Sequence, residues 1–288
     1  MPYTLSYAGH ETRKFDRDRF LCSLFAPASS LEDIHTILAF NIEISKSREM
    51  VSDGLLGEMR LQWWRDIVSS IYLQDTVFDT DHYLVSGLQS IIQKYKLKCG
   101  LFTDLINARS RDMIDDAPKN EAELTSYSYG TTAVLNRILI EIMCQSNESL
   151  SKNLIKISNH AGIAWSITGI IRASSVLSKY KRIYIPVSLM EKNNFTIYEF
   201  QSQKVTQGIK AAIGQLVSLA RNEINQARKV PIDFDKRTYL PVLLQLSLAD
   251  MYLSRIKSFN FDPFEPKIEK GRLIRQLKLY IRARTGLL

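Results

Sequence analysis

A single all-α domain is the fold this chain predicts, on three grounds. Apolar residues recur at helical spacing almost throughout. No strictly alternating run is bounded by the dipeptides that close hairpins. Of its eight prolines, Pro27, Pro118, Pro186, Pro231, Pro241, Pro263 and Pro266 fall at or near the breaks between helical patterns.

The periodicity predicts helices near 17–26, 30–50, 54–73, 80–95, 99–115, 120–145, 150–176, 196–229, 236–257 and 268–284. Ser30, with Asp33 three positions on, predicts a capping box at the start of the second. The 288 residues are 45% hydrophobic and 24% charged, a globular balance with ample apolar surface for a core. No repeat, low-complexity tract or Gly-, Ser- or Pro-rich linker divides them. The expectation is one domain over 1–288, with a core at about 15–260 and a basic terminal helix at about 268–284.

No run of 18 apolar residues appears, so a spanning helix is not expected. The first twenty residues lack an apolar core segment and include Glu11, Asp16 and Asp18, unlike a secretory signal or a transit peptide. That points to a bacterial cytoplasm, with contact at the inner membrane as an extension, or to an organelle form without its presequence. Cys22, Cys99 and Cys144 are far apart and lack metal spacing, as expected of reduced packing residues.

The net charge of +8 fits solubility better than nucleic-acid binding, because no nucleic-acid motif accompanies it. The charge is uneven, however. Gly271 to Arg284 holds Arg272, Arg275, Lys278, Arg282 and Arg284 and no acid, while Leu273, Ile274, Leu277, Tyr280 and Ile281 recur on the opposite face. Such a helix either docks on the core with a solvated basic stripe or lies on an anionic membrane surface. Both stay open.

Two helices carry polar groups on faces that should pack inward. One face of the second runs Ile34, Leu38, Asn41, Ser45, Arg48. In the helix near 150–176, His160, Trp165, Ser166, Thr168 and Arg172 interrupt an apolar run. There Gly162 and Gly169 allow either close helix contact or a groove, since a helical Gly costs about 1 kcal/mol against Ala. Inward polar groups form either a buried hydrogen-bond network or a pocket.

Several stretches resemble the squalene/phytoene synthase family. Phe20 to Phe25, Pro27 and Ala39-Phe40 are similar to its opening, and Gly57 to Arg65 (GEMRLQWWR) to its next helix. Ala161 to Arg172 resembles the helix of its second aspartate-rich motif, and Arg182-Ile183-Tyr184-Ile185-Pro186 its Arg-x-Tyr-Leu-Pro segment. The resemblance covers about 15–260 and implies the all-helical isoprenoid (terpenoid) synthase fold. It also implies head-to-head condensation of two prenyl diphosphates, with carboxylates from both motifs holding Mg²⁺.

This chain departs from the pattern at those carboxylates. The first motif falls on Ser45, Lys46, Ser47, Arg48 and Glu49, beside Asn41; only Glu49 is acidic. The second falls on Ser166, Gly169, Arg172 and Ala173. Hard divalent ions require oxygen ligands. A lysine about 5 Å from Mg²⁺ repels it by roughly 6–7 kcal/mol at an effective dielectric near 20. No metal or other cofactor is therefore expected, and Mg²⁺ enters only if an active synthase persists. Asp112-Met113-Ile114-Asp115-Asp116 resembles an aspartate-rich motif out of register, and its acids are expected to be solvated in a loop. Glu32, Asp33 and Glu43 are expected to be surface or capping residues.

Ala39 to Ile44, Met59 to Trp64, the turn Asp262-Pro263-Phe264-Glu265-Pro266 and Leu279-Tyr280-Ile281 further resemble the non-catalytic branch containing the mitochondrial respiratory complex I assembly factor 6 and its α-proteobacterial relatives. That resemblance implies a protein partner: a complex I subunit or assembly intermediate. The alternatives are an active farnesyl or geranylgeranyl diphosphate transferase and a module binding a prenyl lipid or quinone. Arg60, Gln62, Trp63, Trp64, Arg65, Thr168, Arg182 and Tyr184 are the matched positions that could line a cavity or hold a head group. Each has a structural alternative. Trp63 and Trp64 can straddle core and rim, the arginines can pair with carboxylates, and Lys46 and Arg48, which could bind a diphosphate without metal, are more simply a solvated helix end. His35, His82 and His160 show no ligand spacing.

Overall fold

The computed structural model describes residues 5–51, 53–73, 81–144 and 149–286. Fifteen α-helices run through the described residues: α1 (Tyr7–Phe15), α2 (Arg17–Ser23), α3 (Leu31–Ser45), α4 (Gly54–Leu73), α5 (Tyr83–Tyr95), α6 (Cys99–Arg109), α7 (Glu121–Ser128), α8 (Val134–Met143), α9 (Lys152–Arg172), α10 (Ser174–Lys179), α11 (Val187–Lys192), α12 (Ile197–Gln201), α13 (Gln207–Lys229), α14 (Leu240–Ser258) and α15 (Arg272–Thr285). Among the described residues there is no strand, and the all-α expectation holds. Residue 80 of the expected helix at 80–95 and residue 145 of that at 120–145 lie outside the described residues.

The chain forms two compact units, each built from three stretches. One comprises Met1–Ile114, Val134–Ile155 and Ile232–Val242; the other comprises Asp115–Ala133, Lys156–Pro231 and Leu243–Leu288. The first unit is centred on α3, which α1, α2, α5 and α8 flank. Ile34, Ile37, Phe40 and Ile44 of α3 are fully buried. The Phe40 ring meets the edge of Trp64 at 5.0 Å and Phe102 at 6.1 Å, tying α3 to α4 and α6.

Several expectations change. α1 was not predicted; Ser6 caps it by accepting from Gly9 N–H, and Asp16 both ends it and caps α2. Ser30 makes no side-chain cap on α3. Its hydroxyl donates to Pro27 O at 3.1 Å, while Asp33 turns away to Lys94 and Tyr95, each at 2.7 Å. A charged partner from α5 outweighs a local cap.

In the second unit the helix expected over 196–229 is two. α12 opens on a complete capping box from Thr196 and Glu199, Gln203 turns left-handed at φ 55°, and Thr206 caps α13. The helix expected over 120–145 is interrupted by a π-turn at Tyr129–Ala133. That turn meets α9 at Gly162, where an added Cβ would lie 2.5 Å from Ala133 Cα. A backbone that close excludes any side chain. Seven residues on, a Cβ on Gly169 would meet nothing within 4 Å.

The two glycines therefore predict opposite outcomes. Gly162→Ala should lower stability by about 1–3 kcal/mol through overpacking against main chain. Gly169→Ala should raise it by about 0.5–1 kcal/mol through lost unfolded-state entropy. Urea denaturation of both variants checks the pair.

A second prediction concerns His35, which is fully buried with Nε2 2.9 Å from Ser23 Oγ. Burial pushes its pKa below the ordinary 6.5, against an opposing pull from Glu32. The unfolded chain then binds the proton more tightly than the folded one. Stability is full above pH 6.5 and falls as pH drops from there toward the folded-state pKa. Urea midpoints against pH should show that acid-side decline, and His35→Gln should flatten it.

Candidate functional site

The positions at which the family resemblance expects magnesium ligands divide between the two units. In the first unit they lie at the C-terminal end of α3. Asn41 is buried, and its Oδ1 accepts from Arg109 Nη2 at 3.2 Å. Arg109 also pairs with Asp112 at 3.3 Å. Asp112 is only 5% exposed, so it is not the solvated acid expected of it. The 3₁₀ turn Ser110–Met113 extends α6 and folds Asp112 back onto Arg109. Asp115 and Asp116 are exposed, as expected.

Ser45 is half-buried, and its hydroxyl donates to Ile42 O at 2.9 Å. Lys46 caps α3 with its N–H on Ile42 O, while its ammonium sits 2.8 Å from the centre of the Phe15 ring on α1. This lysine is half-buried and not the solvated helix end that was the simpler expectation. The reason is α1, which packs along α3 and brings an aromatic face to the cation. Burial lowers its pKa; Glu11, Glu43 and Glu49 push back. Glu49 is exposed, while Glu43 is half-buried 3.9 Å from Arg60 and so is more than a surface acid.

On α4 the matched positions are occupied by internal contacts. Arg65 donates to Asn107 Oδ1 (2.8 Å), Ser110 Oγ (2.7 Å) and Gln62 Oε1 (3.2 Å), and pairs with Glu58 at 2.8 Å. This fork joins α4 to α6 and the 3₁₀ turn. Gln62 is exposed and also bonds Asp66 at 2.8 Å. Trp64 is buried, and half-buried Trp63 meets it edge-on at 4.8 Å, so the pair straddles core and rim. His82 caps α5 and lies 5.5 Å from Trp63 and 5.1 Å from Trp64. Burial lowers its pKa as well.

In the second unit the corresponding positions lie at the end of α9. Ser166 and Gly169 are half-buried, and Thr168 is buried with its hydroxyl on Ala164 O at 2.7 Å. Arg172 makes a bidentate pair with Glu269, Nε–Oε1 at 2.7 Å and Nη2–Oε2 at 3.0 Å. Its guanidinium also lies 3.6 Å from the centre of the Tyr252 ring and 5.4 Å from that of Trp165. Ala173 caps α10. Arg182 follows left-handed Lys181 (φ 57°) and is half-buried, and the Tyr184 ring lies 5.3 Å from that of Tyr127. His160 Nδ1 lies 2.7 Å from Glu223 Oε2.

Sequence reasoning missed the partners: Phe15, Arg109, Tyr252 and Glu269. No spacing signal marks them, because each comes from an element distant in the chain from the position it serves.

The squalene/phytoene synthase family model matches residues 12–280. The chain belongs to the squalene/phytoene synthase family. Within that family it is similar to NADH dehydrogenase (ubiquinone) complex I, assembly factor 6 of Bos taurus. The two are 25% identical over 272 residues, covering 94% of this chain and 79% of that one. The fold is similar to that of squalene synthase HpnC from Alicyclobacillus acidocaldarius, with TM-score 0.76, 18% identity and coverage of 89% of this chain and 94% of that one. A dehydrosqualene synthase gives TM-score 0.80 at 13% identity, covering 98% and 95%. The isoprenoid synthase helical fold is thus the fold observed.

The residues present do not fit the family's magnesium. Ser45 turns its hydroxyl to a main-chain carbonyl, Lys46 presents a cation, and Gly169 and Ala173 offer no side-chain oxygen. Among the described residues no three His, Cys, Asp or Glu side chains are grouped to hold a metal ion.

The Arg172–Glu269 pair yields a third prediction. Both groups are partly solvated, at 17% and 47% exposure, so a double-mutant cycle with Arg172→Gln and Glu269→Gln should return a coupling of about 1 kcal/mol. Thermal denaturation of the four proteins measures it. A larger loss in Arg172→Gln alone is expected, because that change also removes the contact with Tyr252.

Proposed function

We propose that this protein is a non-catalytic member of the squalene/phytoene synthase family that serves in the assembly of respiratory complex I. The observation that carries this reading is Lys46, a half-buried cation held by Phe15 where the family's reaction requires a metal-binding carboxylate. Diphosphate departure is driven by charge compensation from bound cations and donors. Ser45, Gly169 and Ala173 leave no ligand set to bring that charge in. Arg172, the matched basic group, is already neutralised by Glu269.

Likeness to complex I, assembly factor 6 across 94% of this chain supports the assembly role. The partner in this reading is a complex I subunit or an assembly intermediate. The place of action is the cytoplasmic side of a bacterial inner membrane.

Purified protein incubated with farnesyl or geranylgeranyl diphosphate and Mg²⁺ should release no diphosphate above the protein-free rate; turnover would overturn the non-catalytic half of the proposal. Deletion of the gene should lower assembled complex I and membrane NADH:ubiquinone oxidoreductase activity. Intact complex I in the deletion strain would overturn the other half.

A further inference from the structure

We propose that α15 lays its outer face on an anionic lipid bilayer and so docks the protein peripherally on a membrane surface. The inference does not depend on the assembly role.

It starts from the way α15 sits on its own unit. Leu273, Ile274, Leu277, Tyr280 and Ile281 are 80, 62, 60, 49 and 48% exposed, whereas Leu279 is 2% exposed. At about 100° per residue the five exposed side chains span an arc of about 120°, and Leu279 projects from the opposite side. A surface helix of a globular protein buries its broad apolar stripe and exposes its polar one. Here the broad stripe faces solvent, and the inner contact is a narrow seam.

That orientation is held from beneath. Arg275 donates from Nη1 to Lys270 O at 2.5 Å and from Nη2 to Glu269 O at 2.9 Å, with its guanidinium 4.6 Å from the centre of the Tyr252 ring. Gly271, at φ 80°, makes the left-handed turn that sets the direction of the helix, a conformation that costs other residues. The apolar face therefore stays outward while Arg275 keeps its carbonyls.

Charge selects the occupant. Between Gly271 and Arg284 there is no acid. Lys278 borders the apolar arc, and Arg284 rises within it with Nε 3.0 Å from Tyr280 Oη, a geometry that lets its stem lie on apolar surface while its head reaches outward. A cleft of about 600 Å³ opens beside the arc, between α14 and α15. Ile274, Ile281 and Met251 line its apolar side, and Ser254, Lys278 and Arg282 its polar side. The acid in its lining, Asp250, is paired with Arg228 at 3.2 Å. Apolar and cationic groups side by side fit acyl chains below phosphate head groups. A second copy of this face would bring like charges together. Among the described residues no helix is long and apolar enough to cross a membrane, so the contact is superficial.

The test is co-sedimentation of the full chain with vesicles. Binding is expected to phosphatidylcholine mixed with phosphatidylglycerol, not to phosphatidylcholine alone, and should weaken as salt rises. Leu277→Gln with Ile281→Gln should lower the partition coefficient about tenfold or more, and Lys278→Glu with Arg284→Glu should do the same. All four side chains are exposed, so circular dichroism melts should match the parent. Absence of vesicle binding, or binding by either double variant equal to the parent's, would overturn the proposal. So would a dimer in light scattering that the Leu277→Gln/Ile281→Gln variant dissolves without any change in vesicle binding.

Discussion

With its ammonium against the Phe15 ring, Lys46 places a fixed positive charge at the end of α3, and the chemistry open to the first unit follows from that charge. A lysine whose charged form is already disfavoured by burial tolerates acids nearby, and Glu11, Glu43 and Glu49 supply them. It does not tolerate a divalent cation as well. The same logic runs through Asn41, whose amide oxygen is taken by Arg109 while Asp112 balances the guanidinium. The Asn41 amide oxygen is thus satisfied by the chain itself, which removes the cost of leaving it buried and unpaired.

Packing and charge have separated in this molecule. Phe40 against Trp64 and Gly162 against Ala133 are contacts of volume and close approach, indifferent to what the neighbouring polar positions carry. They preserve a helical scaffold similar to that of squalene synthases. The polar positions are satisfied internally, Lys46 by the Phe15 ring, Ser45 by Ile42 O and Arg172 by Glu269. Fold therefore says little about turnover here. What bears on turnover is the particular side chains at Ser45, Lys46, Gly169 and Ala173.

What could be read from the chain follows the same division. Periodicity located α4 and α5 closely, because each has an apolar face that must be buried, and a long, largely apolar run located α9. It missed α1, whose turns mix Gly9, Arg13 and Lys14 with few apolar residues, and α11, which is too short to show a period. It joined α12 to α13, since a single left-handed residue, Gln203, leaves no mark in hydrophobicity. The loss of the carboxylates was legible as residue identity alone. Where Lys46 and Arg172 send their charges was not, because Phe15, Tyr252 and Glu269 are brought to them only by tertiary packing.

Glu269 joins the two themes of the second unit. Its carboxylate takes both nitrogens of Arg172, while its main-chain carbonyl accepts from Arg275, and the two guanidinium groups share the Tyr252 ring at 3.6 and 4.6 Å. An anionic ligand that took the Nε–Nη2 edge of Arg172 would have to displace Glu269. Displacement would put an unpaired carboxylate next to the carbonyls that anchor Arg275, at the base of α15. Arg172 is thus tied to the element that presents the apolar face outward. Holding Glu269 and holding an anion are competing uses of that edge of Arg172, and in this structure Glu269 occupies it.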